Sequence, residues 1–178
     1  MKIGIAGAGG IGSNVAVHLV RAGARSLKIV DFDRVEMSNL NRQFYFRDQV
    51  GLSKVTALAA NLARIAPDVA IETVALRLVR ANMAAVLADC DLVVEGFDGV
   101  AEKKALLETM AACRRPVVSA CGVAGTRLED IQVRRLGDCT IIGDFATDVA
   151  HDPCHGPKVA IVAAKMAHIV LEKGGFYD

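Results

Sequence analysis

The chain has 178 residues and a formal net charge of +1, so it has no surplus of positive charge for a broad face against nucleic acid or anionic membranes. Hydrophobic residues make up 53% of it and aromatic ones only 4%; the apolar material is the Ala, Val, Leu and Ile that buried parallel strands and their covering helices use. No apolar run approaches the ~20 residues of a membrane span, the first residues lack a signal peptide's layout, and the five cysteines include no C-x-x-C, so a disulfide framework and a four-cysteine zinc site are unsupported. The expectation is one domain over 1–178 in a reducing, cytoplasmic setting.

The chain opens on a short apolar run, Ile3 to Ala6, which meets the cluster Gly7-Ala8-Gly9-Gly10-Ile11-Gly12. A helix is predicted over Gly12 to Ala22, with Ile11, Val15, Leu19 and Ala22 on one face and Gly23 as its stop. A second apolar run, Leu27 to Val30, closes on Asp31. Strand, glycine turn, helix, strand and acid in this order form a nucleotide-binding βαβ unit. Gly7 permits the tight turn, Gly9 lets backbone approach a phosphate, and Gly12 lets helix and strand pack closely. The helix N-terminus offers unpaired N–H groups to the anion, and Asp31 can accept from ribose hydroxyls.

From Asp33 to Lys54 the chain spends about twenty residues without regular structure, where a plain crossover needs ~2–6. Long loops at the C-terminal edge of a parallel strand are where ligands bind. Helices are then expected over Leu52 to Ala66, Ala81 to Ala88 and Ala101 to Cys113. Strands are expected over Val69 to Val74, Asp91 to Glu95 and Pro116 to Cys121. Asp130 to Arg134 alternates at period two and reads as a half-exposed antiparallel strand. Gly137 to Gly156 reads as a polar loop. Pro157 to Glu172 reads as a helix apolar on nearly every side, which suggests burial against a second subunit as well as the sheet. The predicted fold is therefore α/β: a Rossmann-like, mostly parallel sheet with helices on both faces and an antiparallel strand near the C-terminus.

Several residues could carry chemistry. Arg42 offers a planar fork for phosphate oxygens, Asn39 and Asn41 are neutral donors in the same Ser38-to-Gln43 stretch, and Lys54 adds a point charge. Asp98, in the turn Gly96-Phe97-Asp98-Gly99, could hold Mg²⁺ or merely form the turn. Asp33 is expected to be structural, and Ser13 and Asn14 are expected to donate at the helix start. Cys154 with His151 and His155 could mark a thiol or metal site or be an ordinary loop; a persulfide carrier would need a lowered thiol pKa. Cys90, Cys113 and Cys121 read as small core hydrophobes.

GAGGIGSNVA, VDFDRVEMSNLNRQ, GLSK, the strand ending EGFDG and the closing GPKVAIVAAKMA together resemble the ThiF/MoeB/HesA family, relatives of the ubiquitin-activating enzymes, from about Lys2 to Gly122 and again in the last helix. The resemblance implies that Gly10 and Asp31 bind adenosine, Ser38 to Arg42 and Lys54 the phosphates, and Asp98 the magnesium. It further implies ATP-dependent adenylylation of the C-terminal glycine of a small ubiquitin-like sulfur carrier ending in Gly-Gly, and it is nearest the compact forms associated with thiamine thiazole synthesis. The family's T-D-N reads Phe97-Asp98-Gly99 here, and the C-x-x-C pairs of its zinc-bearing members are absent. The sequence opens directly on the first strand, where the family carries a helix lending an arginine to the partner subunit; the expectation is a site without that arginine. Two rival readings use the same glycine motif: a nicotinamide dehydrogenase, for which the ~55 residues after the fifth strand are short of a substrate domain, and a non-catalytic nucleotide-binding scaffold.

Overall fold

The structure is a computed structural model that describes residues 1–177. Its seven strands lie in one sheet, and they are β1 (Ile3–Ala6), β2 (Ser26–Val30), β3 (Ala70–Val74), β4 (Leu92–Glu95), β5 (Val117–Ala120), β6 (Gln132–Leu136) and β7 (Cys139–Gly143). Their order is β3-β2-β1-β4-β5-β7-β6. All neighbours are parallel except the β6–β7 pair. The central strands β1, β4 and β5 are buried throughout, as strands covered on both faces must be.

The helices are α1 (Gly10–Arg21), α2 (Lys54–Ala63), α3 (Arg80–Val86), α4 (Val100–Ala112) and α5 (Gly156–Lys173). Ile11, Val15 and Leu19 of α1, Val55, Leu58 and Leu62 of α2, and Val159, Val162 and Met166 of α5 share one core with the sheet. Met83 of α3 and Leu106 and Met110 of α4 build a second core around Val93 and Val117. The sheet is thus covered on both faces. The strand order reverses between β1 and β4, and the C-terminal edge of a parallel sheet opens a crevice at that point.

Two expectations need correction. Gly137 to Gly156 is not loop throughout, because its Thr140-Ile141-Ile142 forms the middle of β7, joined to β6 by the two-residue turn Gly137-Asp138. A Gly-Asp pair between two short runs is a hairpin signal, and averaging over the polar segment hid it. Helix α5 is not apolar all round either. Ile161, Ala164, Lys165, His168 and Glu172 form an exposed stripe, of which Ile161 and Ala164 are apolar, while the buried side packs on α1, β5 and β7. Among the other expected features, Ala22 falls just beyond α1 and is exposed, and the Asp33-to-Lys54 segment carries two short 3₁₀ turns, Met37–Asn39 and Arg47–Gln49.

Candidate functional site

The glycine turn is built as its residues require. Gly7 has φ +95°, and a Cβ there would lie 2.9 Å from the Gly96 carbonyl oxygen, so the tight turn between β1 and α1 excludes a side chain. A Cβ on Gly12 would collide with the Gly7 carbonyl at 1.8 Å, which is the close helix–strand packing expected of it. Gly9 differs: the nearest atoms to its would-be Cβ are 3.9 Å away or more, leaving room for an approaching group. Gly10 is the first residue of α1 and lies against Val159 and the aliphatic stem of Arg42.

A cavity of about 240 Å³ opens over this edge, lined by Gly7 and Gly9 after β1, Asp31 to Asp33 after β2, Leu76 to Leu78 after β3, and Gly96 to Gly99 after β4, with Lys54 and Glu102. Of the sequence-predicted residues it brings together Gly7, Gly9, Asp31, Lys54 and Asp98. Gly10, Gly12, Ser38, Asn39, Asn41 and Arg42 lie outside its walls. Buried Asp31 spends one carboxylate oxygen on the Ala8 N–H and the other on the Asp33 N–H, both at 2.7 Å, so it pins the glycine turn as well as facing the cavity. Lys54, the first residue of α2, is buried and donates to the half-exposed carboxylate of Asp33 at 3.1 Å. Asp33 thus pairs with a lysine, and it lines the cavity as well.

The crossover segment is stitched onto the start of α1. The Phe44 N–H donates to Ser13 Oγ at 3.0 Å, and Ser13 Oγ–H donates to the Gly9 carbonyl at 2.6 Å. Asn14 Nδ2 donates to the carbonyls of Gly10 and Arg42, and the buried Tyr45 hydroxyl donates to the Ala8 carbonyl at 2.7 Å. Ser13 and Asn14 are therefore braces for the segment and not free donors at the helix start. Burial, with Asp31 and Asp33 nearby, pushes the Tyr45 phenol far above its ordinary range, so it stays a neutral donor.

Arg42 lies beside Gly10 at the start of α1, its Nη1 donating to the Ser38 carbonyl at 3.1 Å and to Asn41 Oδ1 at 2.8 Å. Asn39 is buried and its Oδ1 accepts from the Glu36 N–H at 3.1 Å; exposed Ser38 donates to Glu36. Asn39 and Asn41 thus hold the segment's own shape. The neighbouring Gln43 is buried, its Nε2 lies beside Gly9, and its Oε1 has no hydrogen-bond partner among the described residues.

Asp98 is exposed on the cavity wall, and Glu102, in the first turn of α4, lines the same wall. One or two carboxylates beside a space for phosphate is a donor set that suits Mg²⁺. Sequence reasoning missed the group that sets this turn. Glu95, fully buried at the end of β4, accepts from the Phe97 N–H at 2.7 Å and from Ser119 Oγ at 2.6 Å, and it pairs with Lys103 of α4. It also missed Lys158, which is 1% exposed and donates to Asp144 Oδ2 at 2.5 Å and to the Ala124 carbonyl. A lone lysine on the apolar side of the last helix was the available signal, because a buried charge requires a partner. Burial works against the Asp144 charge, but Lys158 and the N–H groups of Thr147 and Ala146 outweigh it and hold the carboxyl well below its usual range.

The cysteines differ from expectation. Only Cys90 is buried, whereas Cys113 and Cys121 are exposed. Cys154 is half-buried against the core, and burial pushes its thiol up despite the nearby Arg42, the reverse of the activation a persulfide carrier needs. Among the described residues no three His, Cys, Asp or Glu side chains gather as a metal site. Among them, too, no helix is long and apolar enough to cross a membrane.

A glycine turn feeding a helix, an acid after the second strand, and a lysine and an acid facing one cavity at the point of strand reversal define a nucleotide-binding Rossmann-like α/β architecture. Within that class the chain belongs to the ThiF family, whose model matches residues 1–151. It is 36% identical over 116 residues to the adenylyltransferase and sulfurtransferase MOCS3 of Anopheles gambiae, a stretch covering 65% of this chain and 26% of that protein. It is 52% identical over 71 residues to the ubiquitin-like modifier-activating enzyme 5 of Drosophila melanogaster, covering 40% and 18% respectively. The matched stretch therefore spans about a quarter or less of these relatives' length. The same fold is seen in the E. coli tRNA N6-threonylcarbamoyladenosine dehydratase TcdA in complex with ATP, with a TM-score of 0.85 at 22% identity over 98% of this chain and 87% of that one. E. coli MccB with MccA-N7isoASN gives 0.81 at 21% identity, over 99% and 57%.

Proposed function

We propose that the chain catalyses ATP-dependent adenylylation of the C-terminal glycine of a small ubiquitin-like sulfur carrier, releasing pyrophosphate, in cytoplasmic thiamine thiazole or related sulfur-transfer biosynthesis. One observation carries it: Gly9, Asp31, Lys54 and Asp98 face a single cavity at the α1 N-terminus, and the stem of Arg42 lies against Gly10, the first residue of that helix. Membership of the family, the adenylyltransferase and activating-enzyme names of its relatives, and the ATP held by TcdA all support a nucleotide there. The activation of ubiquitin-like modifiers and the sulfurtransferase activity in its relatives' names support a ubiquitin-like sulfur carrier as the second substrate.

The chemistry needs placed charges more than proton transfer. A C-terminal carboxylate has a pKa of ~3.3–3.7 and is already ionised. One of its oxygens attacks the α-phosphorus; that P–O bond forms as the bond to the bridging oxygen breaks, giving an acyl-adenylate and pyrophosphate. The obstacle is bringing two anions together. Lys54, the α1 N–H groups and Arg42, whose Nη1 now rests on Ser38 and Asn41, would neutralise the triphosphate. Asp98, with Glu102 beside it, would hold Mg²⁺, which when bound supplies further charge neutralisation on the phosphates. Asp31 orients the ribose while it braces the glycine turn, and Ser38, Asn39 and Asn41 shape the phosphate-facing loop.

Pyrophosphate–ATP exchange tests the reading on the full chain. The expected result is exchange that depends on a carrier ending in Gly-Gly. ATP binding with no exchange for any carrier would leave a scaffold, and NADH binding without exchange would favour a dehydrogenase. A homodimer of 1–178 units is part of the proposal, and a monomer in light scattering removes it.

A further inference from the structure

The cavity runs along the C-terminal ends of β3, β2, β1 and β4 in their order in the sheet, so its two ends differ chemically. The β1 and β4 end is glycine backbone and carboxylate. The β3 end is Leu76, Arg77 and Leu78, facing Val30 and Phe32. Arg77 is the one polar side chain at that end. Phe32 is 49% exposed, yet its ring is covered by the Arg77 guanidinium, whose central carbon lies 4.0 Å from the ring centroid. Among the described residues Arg77 forms no ion pair, although Asp31 and Asp33 line the same cavity. Its backbone is fixed: Asn82, at the start of α3, donates through Nδ2 to the Arg77 carbonyl at 3.0 Å and accepts the Val79 N–H at 2.8 Å. A positive plane with no carboxylate, parked on an aromatic ring and set in a cavity wall, is prepared for another flat π-face.

We propose that Arg77, seated on Phe32, is the outer wall of a purine pocket that grips the base by its face, and that Phe32 contributes by holding Arg77. Guanidinium groups stack on base planes as they do on aromatic side chains. Had Arg77 read the base edge instead, its donors would select the O6 and N7 acceptors of guanine. Resting on Phe32, it offers a face to either purine. The inference builds on the nucleotide reading above and names the side chains that face the base.

The test is equilibrium binding of ATP, AMP, adenosine and GTP to the full chain, in wild type, Arg77→Ala, Arg77→Lys, Phe32→Ala and the Arg77→Ala/Phe32→Ala double variant. Arg77→Ala is expected to weaken ATP, AMP and adenosine by one common factor of about fivefold, with GTP weakened similarly. Arg77→Lys, which keeps the charge and loses the plane, should resemble Arg77→Ala, and the double variant should be no weaker than either single one. A loss confined to ATP would place Arg77 on the phosphates; a loss confined to GTP would make it an edge reader; additive losses would make Phe32 an independent wall. Each overturns the proposal. Both side chains are exposed, so thermal melts should match wild type, and Arg77→Lys stands in if Arg77→Ala fails to fold. A wild-type chain that binds no nucleotide at all sinks the nucleotide reading itself, an outcome distinct from a wild type that binds tightly and a variant that binds equally well.

Discussion

Two lysines at helix starts on the same edge of the sheet, Lys54 and Lys158, have opposite fates. Lys158 is sealed: Asp144 and the Ala124 carbonyl take its protons, and Asp144 in turn accepts from Thr147 and Ala146. Lys54 is buried too, but its one ion pair among the described residues is to an Asp33 side chain 47% open to solvent, and it lines the cavity. The first arrangement satisfies a charge inside the fold and keeps the turn after β5 tied to α5. The second leaves positive potential facing a space where a ligand can add acceptors. Burial by itself therefore does not separate a cation closed off inside the fold from one open to a ligand; what separates them is whether the partner set is closed.

That contrast can be broken experimentally, and the largest effect is on stability. Asp144→Ala strands a buried ammonium and is expected to cost about 3–5 kcal/mol in urea unfolding, whereas Asp33→Ala, at a half-exposed pair, should cost ~1 kcal/mol or less. Equal losses would erase the distinction. Activity should show the reverse. Lys54→Met, which keeps the buried stem, should lower carrier-dependent pyrophosphate exchange at least ~100-fold with little change in melting, and Arg42→Ala should do the same.

Smaller effects sharpen the picture. Asp98→Asn should raise the Mg²⁺ concentration for half-maximal exchange by about tenfold, while Asp144→Asn should leave it unchanged. Asp144 also sets an acid limit. Its folded pKa is depressed, so its contribution is fully present above the ordinary carboxylate pKa near ~3.9 and is lost as pH falls below that toward the folded value. Wild type should lose stability on this limb by up to ~1.4 kcal/mol per pH unit from this group, and Asp144→Asn should flatten it. A limb that Asp144→Asn leaves unchanged would place the acid sensitivity elsewhere.

Much of this site was legible because its signals are local. The turn at Gly7, the packing at Gly12 and the open approach at Gly9 follow from spacing within one βαβ unit, and Asp31 follows from the end of the next strand. What was not legible depends on partners far along the chain. Ser13 and Asn14 brace residues 28 to 31 positions away, and Glu95 meets a serine 24 positions on. Strand β7 was hidden for a different reason: its apolar core is short and stands inside a polar segment, and its pairing with β5 comes from across the sheet.

The sequence by itself determined the class of fold, the crevice edge on which ligands would act, and the family, because period, glycine placement and strand-ending acids act through neighbours in the chain. Tertiary structure alone decided which charges are spent. It closed Lys158 on Asp144, left Lys54 beside an open cavity, turned Asn39 and Asn41 to the loop's own support, and brought Phe32 and Arg77 together from separate strands' ends. Pairing energy depends on distance and burial, and no local pattern specifies either for residues that meet only when the sheet is formed.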